Sequence, residues 1–218
     1  MDEIVRVEDG FEVCSGSDRL LATRLVVAVP PHQASRLLRP ISEELGRLLG
    51  EVTLAPIAVV HRGYAARAEA VPEGFGYLAP RGEGVRGLGT LFASRLFDGR
   101  CPEGGELLTG FVGGMTDPRA IDRSDAELGS IVAEDLRNLL GLERSPVYQR
   151  VARYPAAIPQ LEVGHLERME RIESCLAGLP GLRLAGNYLR GVGMKDAVAS
   201  GLEAAAEVVP PIVEEFAT

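Results

Sequence analysis

The sequence lacks any hydrophobic run long enough to cross a membrane. Its longest apolar stretches, residues 25–31 and 55–60, fall far short of the roughly 20 residues that a transmembrane helix needs. The N-terminus reads Met-Asp-Glu-Ile-Val and shows no basic segment followed by an apolar one, so it does not resemble a secretory signal peptide. We therefore predict a cytoplasmic protein without a transmembrane segment, with peripheral membrane contact left open.

Positive charge is scarce relative to negative charge. The chain has 23 Lys and Arg residues against 31 Asp and Glu residues, which gives a formal net charge of −8. The basic residues form no stripe along the sequence. Because affinity for phosphate backbones comes mainly from clustered Lys and Arg, we predict no nucleic-acid partner.

Motifs for metal binding and for hydrolysis are missing as well. The three cysteines, Cys14, Cys101 and Cys175, lie far apart without CxxC spacing, which argues against a zinc site and against a disulfide framework. The three histidines form no metal-ligand pattern, and neither a GxSxG elbow nor an HExxH helix occurs. The sequence therefore assigns no catalytic residue and no metal ion.

What the sequence does have is the composition of a folded domain with many turns. Hydrophobic residues make up 46% of the chain and charged residues 25%, so 218 residues suffice to bury a core. Gly and Pro, with 26 and 14 residues, stay below the share that is typical of disordered chains. The length allows one or two domains.

Hydrophobic periodicity and turn residues predict a mixed fold of strands and helices. We expect an α/β (α+β) protein whose mixed or antiparallel sheet has one face free for a ligand. The predicted elements are, in order, strands at 4–8, 11–14 and 25–29, two short helices or one kinked helix at 32–49, strands at 52–64, 74–79, 87–93 and 106–113, a helix from the capping box Ser124–Glu127 to Gly141, a strand at 148–154, an irregular connection at 155–159, a helix at 166–176, a strand at 182–185, and a last helix with Val198, Leu202, Ala205 and Val209 on one face.

The most informative stretch runs from Pro180 to Asp196. A short apolar strand, Leu182–Ala185, is followed by a glycine-rich turn, and a helical pattern begins after Gly193. Such a turn lets the backbone approach a ligand closely, and the free N–H groups at the start of a helix favour an anionic group such as a diphosphate. A turn that binds no ligand would fit the same pattern.

This stretch resembles the C-terminal flavin motif of the protoporphyrinogen oxidase family, which belongs to the flavin amine oxidase superfamily and has the pattern GNxxxGVGLPDCIxSGxxAA. The chain departs from that pattern at Met194-Lys195 and Ala197, and at Leu161 in a second motif, which weakens the substrate assignment more than the cofactor assignment. The segments that match the family, in order, are Val27–Pro31, Ala55–Val60, Gly74–Pro80 (GFGxLxP), Leu88–Ser94, Phe111–Gly114, Ile158–Gln160 with Gly164-His165 (IPQYxxGH), and Gly186–Ala205.

The resemblance also indicates what the chain does not contain. Family members are roughly twice as long and begin with a strand and a GxGxxG turn that holds the FAD diphosphate. The glycine-rich segment 81–89, which contains GEGVRG, has no Rossmann strand before it, so the sequence lacks this fingerprint. The resemblance therefore implies the C-terminal half of an FAD-dependent enzyme, with a missing N-terminal FAD-binding half as its partner. It implies a remnant of the FAD-binding domain at 1–30, a substrate-binding domain at 31–154 and the C-terminal segment of the FAD-binding domain at 155–218.

The activity that the resemblance implies is oxidation of protoporphyrinogen IX, or coproporphyrinogen III, to the porphyrin in haem biosynthesis. Hydride would pass to FAD and then to oxygen, so the cofactor would supply the redox chemistry. We expect the isolated chain to be inactive and to retain no FAD, and we leave homodimer formation open. Two alternatives remain, namely a part of another flavin amine oxidase or phytoene desaturase-like enzyme, and a porphyrin-binding module without catalysis.

Site residues follow from the matching positions. The resemblance places Asn187, Gly191, Val192, Gly193 and Met194 near the flavin. Tyr154 stands where the family often has Trp beside the flavin, although an ordinary strand aromatic fits as well. The residues predicted to line the porphyrinogen pocket, since a macrocycle needs broad apolar walls, are Gly76, Leu78, Phe92 and Phe111. The arginines considered for a substrate propionate are Arg62, Arg95 and Arg190.

Overall fold

The computed structural model describes residues 1–208, which form two compact units. Unit 1 contains residues 1–53 and the described residues from Pro159 onward, and unit 2 contains Leu54–Ile158. These boundaries differ from the predicted ones after residues 30 and 154. The predicted helix position Val209 and the remainder of the segment up to residue 218 lie outside the described residues.

Unit 1 begins with a three-stranded antiparallel sheet in the order β1-β2-β3, built from β1 (Glu3–Val7), β2 (Gly10–Ser15) and β3 (Asp18–Ala22). The predicted hairpin is present, but Val7 pairs with Gly10, so Gly10 opens β2 instead of sitting within the turn. A Cβ at Gly10 would lie 2.2 Å from the carbonyl oxygen of Ala22, which only glycine avoids. The sequence prediction missed β3, because its apolar residues Leu20 and Leu21 are exposed and show no alternation.

Two short parallel strands join the beginning and the end of unit 1. β4 (Leu25–Val27) pairs with β10 (Leu182–Leu184), and Val27 and Leu182 are buried. Both strands were predicted from the sequence, and the structure shows in addition that they pair. β4 is a continuous apolar run, as expected for a buried parallel strand, whereas β10 has Arg183 between its two leucines.

Four helices complete unit 1: α1 (Pro31–Leu38), α2 (Glu43–Gly50), α5 (His165–Ala177) and α6 (Met194–Val208). The predicted interruption near Pro40 is confirmed, and Ser42 caps α2 by accepting the Leu45 N–H at 3.2 Å. Helices α1 and α2 bury Leu38 and Leu48 in the same core as β4 and β10, which is why residues 31–53 belong to unit 1.

The last helix differs from its predicted packing. Val198 and Leu202 are 63% and 68% exposed, whereas Ala204 is buried. Two residues of the predicted apolar face of α6 are therefore largely uncovered, while Ala205 of the same face is half-buried.

Unit 2 is built on a five-stranded sheet in the order β6-β7-β8-β5-β9. The predicted irregular connection at 155–159 is wrong, because β9 continues through it to Pro159. β9 is an edge strand, where the missing N–H of proline costs no ladder hydrogen bond. The strands are β5 (Leu54–Tyr64), β6 (Gly76–Leu78), β7 (Gly89–Leu91), β8 (Glu106–Gly113) and β9 (Tyr148–Pro159), and the pairs β5–β8, β6–β7 and β7–β8 are antiparallel.

One face of this sheet is covered by helix α4 (Asp125–Leu140). The predicted capping box of Ser124 and Glu127 is present, and Gly141 ends the helix in the left-handed conformation. A Cβ at Gly110 would lie 2.7 Å from the Val132 methyl groups, so glycine permits the close approach of helix and sheet. Two short elements, α3 (Ala93–Leu96) and a 3-10 helix (Pro118–Asp122), complete unit 2. Over residues 1–208, no helix has the length and apolarity that a bilayer crossing requires.

Candidate functional site

The glycine-rich loop, residues 186–193, connects β10 to α6 and has a defined set of hydrogen bonds. The Gly186 N–H donates to Ser200 Oγ at 3.0 Å, and Asn187 Nδ2 donates to the Val192 carbonyl at 3.2 Å. Buried His165 contacts the Leu189 carbonyl through Nε2 at 2.8 Å, so that nitrogen is the one that bears the proton. The loop is held at its start, middle and end.

Asp196 explains why glycine stands at two positions of the loop. Its carboxylate accepts the Gly193 N–H at 2.9 Å and thereby caps the start of α6. A Cβ at Gly191 would lie 2.5 Å from Asp196 Cγ, and one at Gly193 would lie 3.0 Å from Asp196 Oδ2. The expected reason for Gly193 was close approach of a cofactor, whereas the structure shows a protein carboxylate as its neighbour.

The start of α6 is accessible. Val192 is 44% exposed and Met194 is 89% exposed. Across the described residues, the N–H groups of Met194 and Lys195 donate to no acceptor. Unpaired N–H groups at the positive end of a 15-residue helix, next to exposed apolar side chains, suit a flat apolar ligand with hydrogen-bond acceptors.

Unit 2 has a candidate surface of its own, the uncovered side of its sheet, which we call the open face. Residues directly opposite each other in antiparallel strands share a face. One row contains Leu78, Gly89, Phe111 and Val59, and the next row contains Gly76, Leu91, Thr109 and His61. The predicted pocket residues Gly76, Leu78 and Phe111 therefore lie together on the open face.

Phe92 does not join them. Its side chain is 2% exposed and packs edge-on against Tyr77, with ring centroids 6.5 Å apart, in the core on the covered side. Successive side chains of a strand alternate between faces, so the open face has Leu91 in this region instead. Leu91 could not be chosen over Phe92 from the sequence, because which of two adjacent apolar residues reaches the open face depends on the pairing register.

Two glycines keep the open face flat. Gly76 and Gly89 have φ values of +140° and +153°. A Cβ at Gly76 would lie 2.0 Å from the Thr90 carbonyl oxygen, and one at Gly89 would lie 2.3 Å from the Tyr77 carbonyl oxygen. Glycine is required by the backbone at both positions, and the absence of side chains leaves room over the sheet between Leu78 and Leu91.

A cavity of about 710 Å³ lies at the β5–β9 end of unit 2. A Cβ at Gly63 would touch Tyr148 at 3.2 Å, which places Tyr148 on the open face, and alternation puts Arg150 and Tyr154 on the same side. All three line the cavity, and Tyr154 is 51% exposed. Tyr154 is thus a wall residue of unit 2, and its predicted contact with a flavin stays a prediction.

His61 lies beside this cavity. Its Nδ1 is 3.0 Å from Thr109 Oγ1. Burial first, and then the positive charge of Arg150, lower the pKa of His61 below its ordinary value. The imidazole is therefore neutral at pH 7.

The three arginines considered for a propionate are each engaged elsewhere. Arg62 is buried and donates to the Gly129 carbonyl at 2.7 Å and to Gln149 at 2.9 Å. Arg190 pairs with Glu173 at 2.6 Å. Arg95 donates to Glu106 at 2.7 and 3.1 Å. Burial alone would raise the pKa of Glu106, yet the bonds from Arg95 and the Ala68 N–H hold it below its ordinary value.

Comparison with known proteins defines the family. The family model described as flavin containing amine oxidoreductase matches residues 2–209. The chain belongs to this family of flavin-containing amine oxidoreductases. The protoporphyrinogen oxidase resemblance inferred from its motifs is confirmed by its relatives.

Two curated relatives illustrate the match within the flavin-containing amine oxidoreductases. Protoporphyrinogen oxidase 1, chloroplastic, of Arabidopsis thaliana is 37% identical over 221 residues, covering 94% of this chain and 41% of the relative. Coproporphyrinogen III oxidase of Propionibacterium freudenreichii is 33% identical over 204 residues, covering 92% of this chain and 38% of the relative. The chain thus spans about two fifths of the length of the curated relatives it matches.

Two solved structures have the same fold as this chain. A candidate protoporphyrinogen oxidase from Exiguobacterium sp. 255-15 superposes with a TM-score of 0.78 at 25% identity, covering 94% of this chain and 45% of that one. Cyclohexylamine oxidase from Brevibacterium oxydans IH-35A superposes with a TM-score of 0.73 at 20% identity, covering 95% and 47%. The second likeness supports the fold alone. The predicted mixed α/β class is confirmed.

Proposed function

We propose that this chain is the flavin-contacting and substrate-binding portion of an FAD-dependent porphyrinogen oxidase. The observation that carries the proposal is the accessible glycine-rich loop at the start of α6, in a chain whose porphyrinogen oxidase relatives align over more than nine tenths of its length. Cytoplasmic localisation, peripheral membrane contact and homodimer formation stay predictions.

The residues of the loop fit the flavin end of FAD. Val192 and Met194 offer exposed apolar surface for the ring system, and the N–H groups of Met194 and Lys195 offer donors for its carbonyl oxygens. Asn187, Gly191 and Gly193 shape the backbone of the loop, because Asn187 donates to the Val192 carbonyl and the two glycines leave room for the Asp196 carboxylate. When bound, FAD would supply the redox chemistry, taking up hydride from a substrate carbon while the accompanying proton leaves to solvent, and giving its electrons to oxygen.

The open face of unit 2 binds the porphyrinogen. Leu78, Leu91 and Phe111 supply apolar contacts, while Gly76 and Gly89 keep the surface flat enough for a macrocycle. Tyr154 closes one side of this surface. The task of these residues is to orient the substrate and to exclude water, and the reaction needs no acid or base from this chain.

The diphosphate of FAD requires residues that these 218 do not contain. A GxGxxG turn between a strand and a helix binds a diphosphate at the N-terminus of that helix. The GxGxxG string of this chain, Gly82–Gly87, instead connects the antiparallel strands β6 and β7, and no helix begins at it. We propose that a complementary segment with this turn completes the cofactor site, so that the chain alone retains no FAD and has no activity.

The decisive experiment uses the chain alone and co-expressed with the GxGxxG-containing half of a protoporphyrinogen oxidase. We expect the purified chain alone to show no flavin absorbance. The complex should contain FAD and convert protoporphyrinogen IX to fluorescent protoporphyrin.

Each contrary outcome selects a different conclusion. Stoichiometric FAD in the isolated chain would refute the need for a complementary segment. A flavin-loaded complex that oxidises amines or carotenoid precursors, and leaves porphyrinogens unchanged, would select another branch of the flavin amine oxidases. Porphyrin binding without any oxidation would select a non-catalytic module.

A further inference from the structure

The open face of unit 2 has two chemically different ends. The end formed by β6, β7 and β8 presents Leu78, Leu91 and Phe111. The other end, formed by β5 and β9, presents His61 and Arg150 beside the cavity of about 710 Å³. From β7 to β9 there are three inter-strand spacings, so the two ends are separated by roughly 14 Å.

Arg150 is a positively charged residue in the lining of this cavity. It is exposed, and it makes neither an ion pair nor a hydrogen bond with any residue between 1 and 208. A second cation, Arg100, also lines the cavity, with its guanidinium carbon 5.3 Å from the centre of the Phe97 ring. In a chain of net charge −8, the cavity thus brings two cations to one place.

The described lining offers these cations no carboxylate of its own. Glu106 is the one acidic residue among the described lining residues, and it is 0% exposed and already bound by Arg95 and by the Ala68 N–H. His61 contributes no charge at pH 7. The cavity therefore has an excess of positive charge that is complementary to a carboxylate ligand.

Resting on the proposed function, we propose that Arg150, assisted by Arg100, binds the propionates along one edge of the tetrapyrrole, while Leu78, Leu91 and Phe111 contact its opposite apolar edge. A guanidinium binds a carboxylate through two parallel hydrogen bonds, which orients the ligand as well as holding it.

An open face with one cationic end and one apolar end distinguishes between the two candidate substrates. Protoporphyrinogen has its two propionates on adjacent rings, so one edge is acidic and the other apolar. Coproporphyrinogen has a propionate on every ring, so one or more carboxylates would lie against Leu78, Leu91 and Phe111 and lose their hydration. The open face therefore favours a substrate of the protoporphyrin type.

The test measures binding of protoporphyrin IX, the stable oxidised product, to the full chain by porphyrin fluorescence. We expect Arg150→Met to weaken binding about tenfold, in line with the loss of a charge-assisted pair. Arg119→Met is the matched control, because Arg119 is also exposed, has no hydrogen bond or ion pair with a described residue and does not line the cavity. Circular dichroism verifies that both variants fold.

A ligand change separates the carboxylate contact from general porphyrin binding. The dimethyl ester of protoporphyrin should bind the wild-type chain about tenfold more weakly than the free acid, and Arg150→Met should cause no further loss with the ester. Coproporphyrin III should bind more weakly than protoporphyrin IX.

The outcomes distinguish this inference from the proposed function. Equal protoporphyrin affinities of Arg150→Met and the wild type would overturn the role of Arg150 while the open face remained the porphyrin site. Tighter binding of coproporphyrin III would overturn the polarity of the face. Absence of any porphyrin binding to the wild-type chain would overturn both the inference and the assignment of the open face, whereas the co-expression assay alone decides the oxidase activity.

Discussion

The two faces of the sheet in unit 2 are made by the same strands and have different surroundings. The covered face buries Val60, Leu108 and Val112 under α4. The open face alternates with it residue by residue and presents glycines, isolated apolar side chains and Arg150. Because neighbouring residues of one strand point to opposite faces, we expect substitutions one position apart to separate effects on stability from effects on ligand binding.

The largest effect is expected from Phe92→Ala on the covered face. Phe92 is 2% exposed, and its removal leaves a cavity in the core, so we expect a loss of about 4 kcal/mol in the free energy of unfolding. Urea denaturation measures it. If the variant kept its stability and lost porphyrin affinity instead, Phe92 would belong to the binding surface, as the sequence first suggested.

The second largest effect on stability is expected at the buried ion pair of Arg95 and Glu106. In Glu106→Gln, Arg95 loses the charge of a fully buried partner, and we expect a loss of about 3 kcal/mol. The folded pKa of Glu106 lies below its unfolded value of 4.5, so its stabilisation is fully present above pH 4.5 and disappears as the pH falls through the folded pKa.

Acid denaturation of the wild type and of Glu106→Gln checks the direction of this pH dependence. The stability difference between the two should narrow below pH 4.5. A difference that stayed constant from pH 7 to the acid transition would show that the ionised carboxylate does not stabilise the fold. The exposed pair Arg190–Glu173 provides the control, because Glu173→Gln should change stability little.

Substitutions on the open face should lower ligand affinity and change stability little. We expect Phe111→Ala and Leu91→Ala each to lower protoporphyrin affinity about tenfold, by removing apolar contact, and to cost only about 1 kcal/mol in stability. Fluorescence titration and urea denaturation of the same samples measure both quantities. Unchanged affinity in both variants would remove the open face from the porphyrin site.

The smallest effect concerns His61 on the open face. Its folded pKa is lowered, so the unfolded chain takes up the proton first, and stability should fall slightly as the pH drops below about 6.5. His61→Gln should flatten this part of the stability profile. An unchanged slope between pH 7 and 5.5 would show that another group is responsible.

Local signals predicted most of the elements. The capping box of Ser124 and Glu127, the apolar run of β4 and the break near Pro40 each depend on residues a few positions apart, and the structure confirms all three. The prediction was wrong at 155–159, where a pair of prolines suggested an irregular segment although an edge strand tolerates them.

The glycine-rich loop could be predicted from the sequence because its residues are contiguous. A strand, a turn with glycines at 191 and 193, and a helix follow one another within about a dozen residues, and the order of residues alone indicates a ligand-accessible helix start. The contact of those glycines with Asp196 could not be predicted, since only the folded chain shows that the Asp196 carboxylate occupies the space where a β-carbon at either glycine would lie.

The family, the mixed fold and the position of the glycine-rich loop follow from the order of residues, because they depend on local patterns and on motifs that survive as strings of residues. The folded chain was needed to show that Phe111 and Leu91 face one side of the sheet while Phe92 faces the other, and that Arg150 lines a cavity without a described partner. These placements depend on strand register, because the face of a side chain is set by which residues of distant strands pair with its own, and one step of register reverses it.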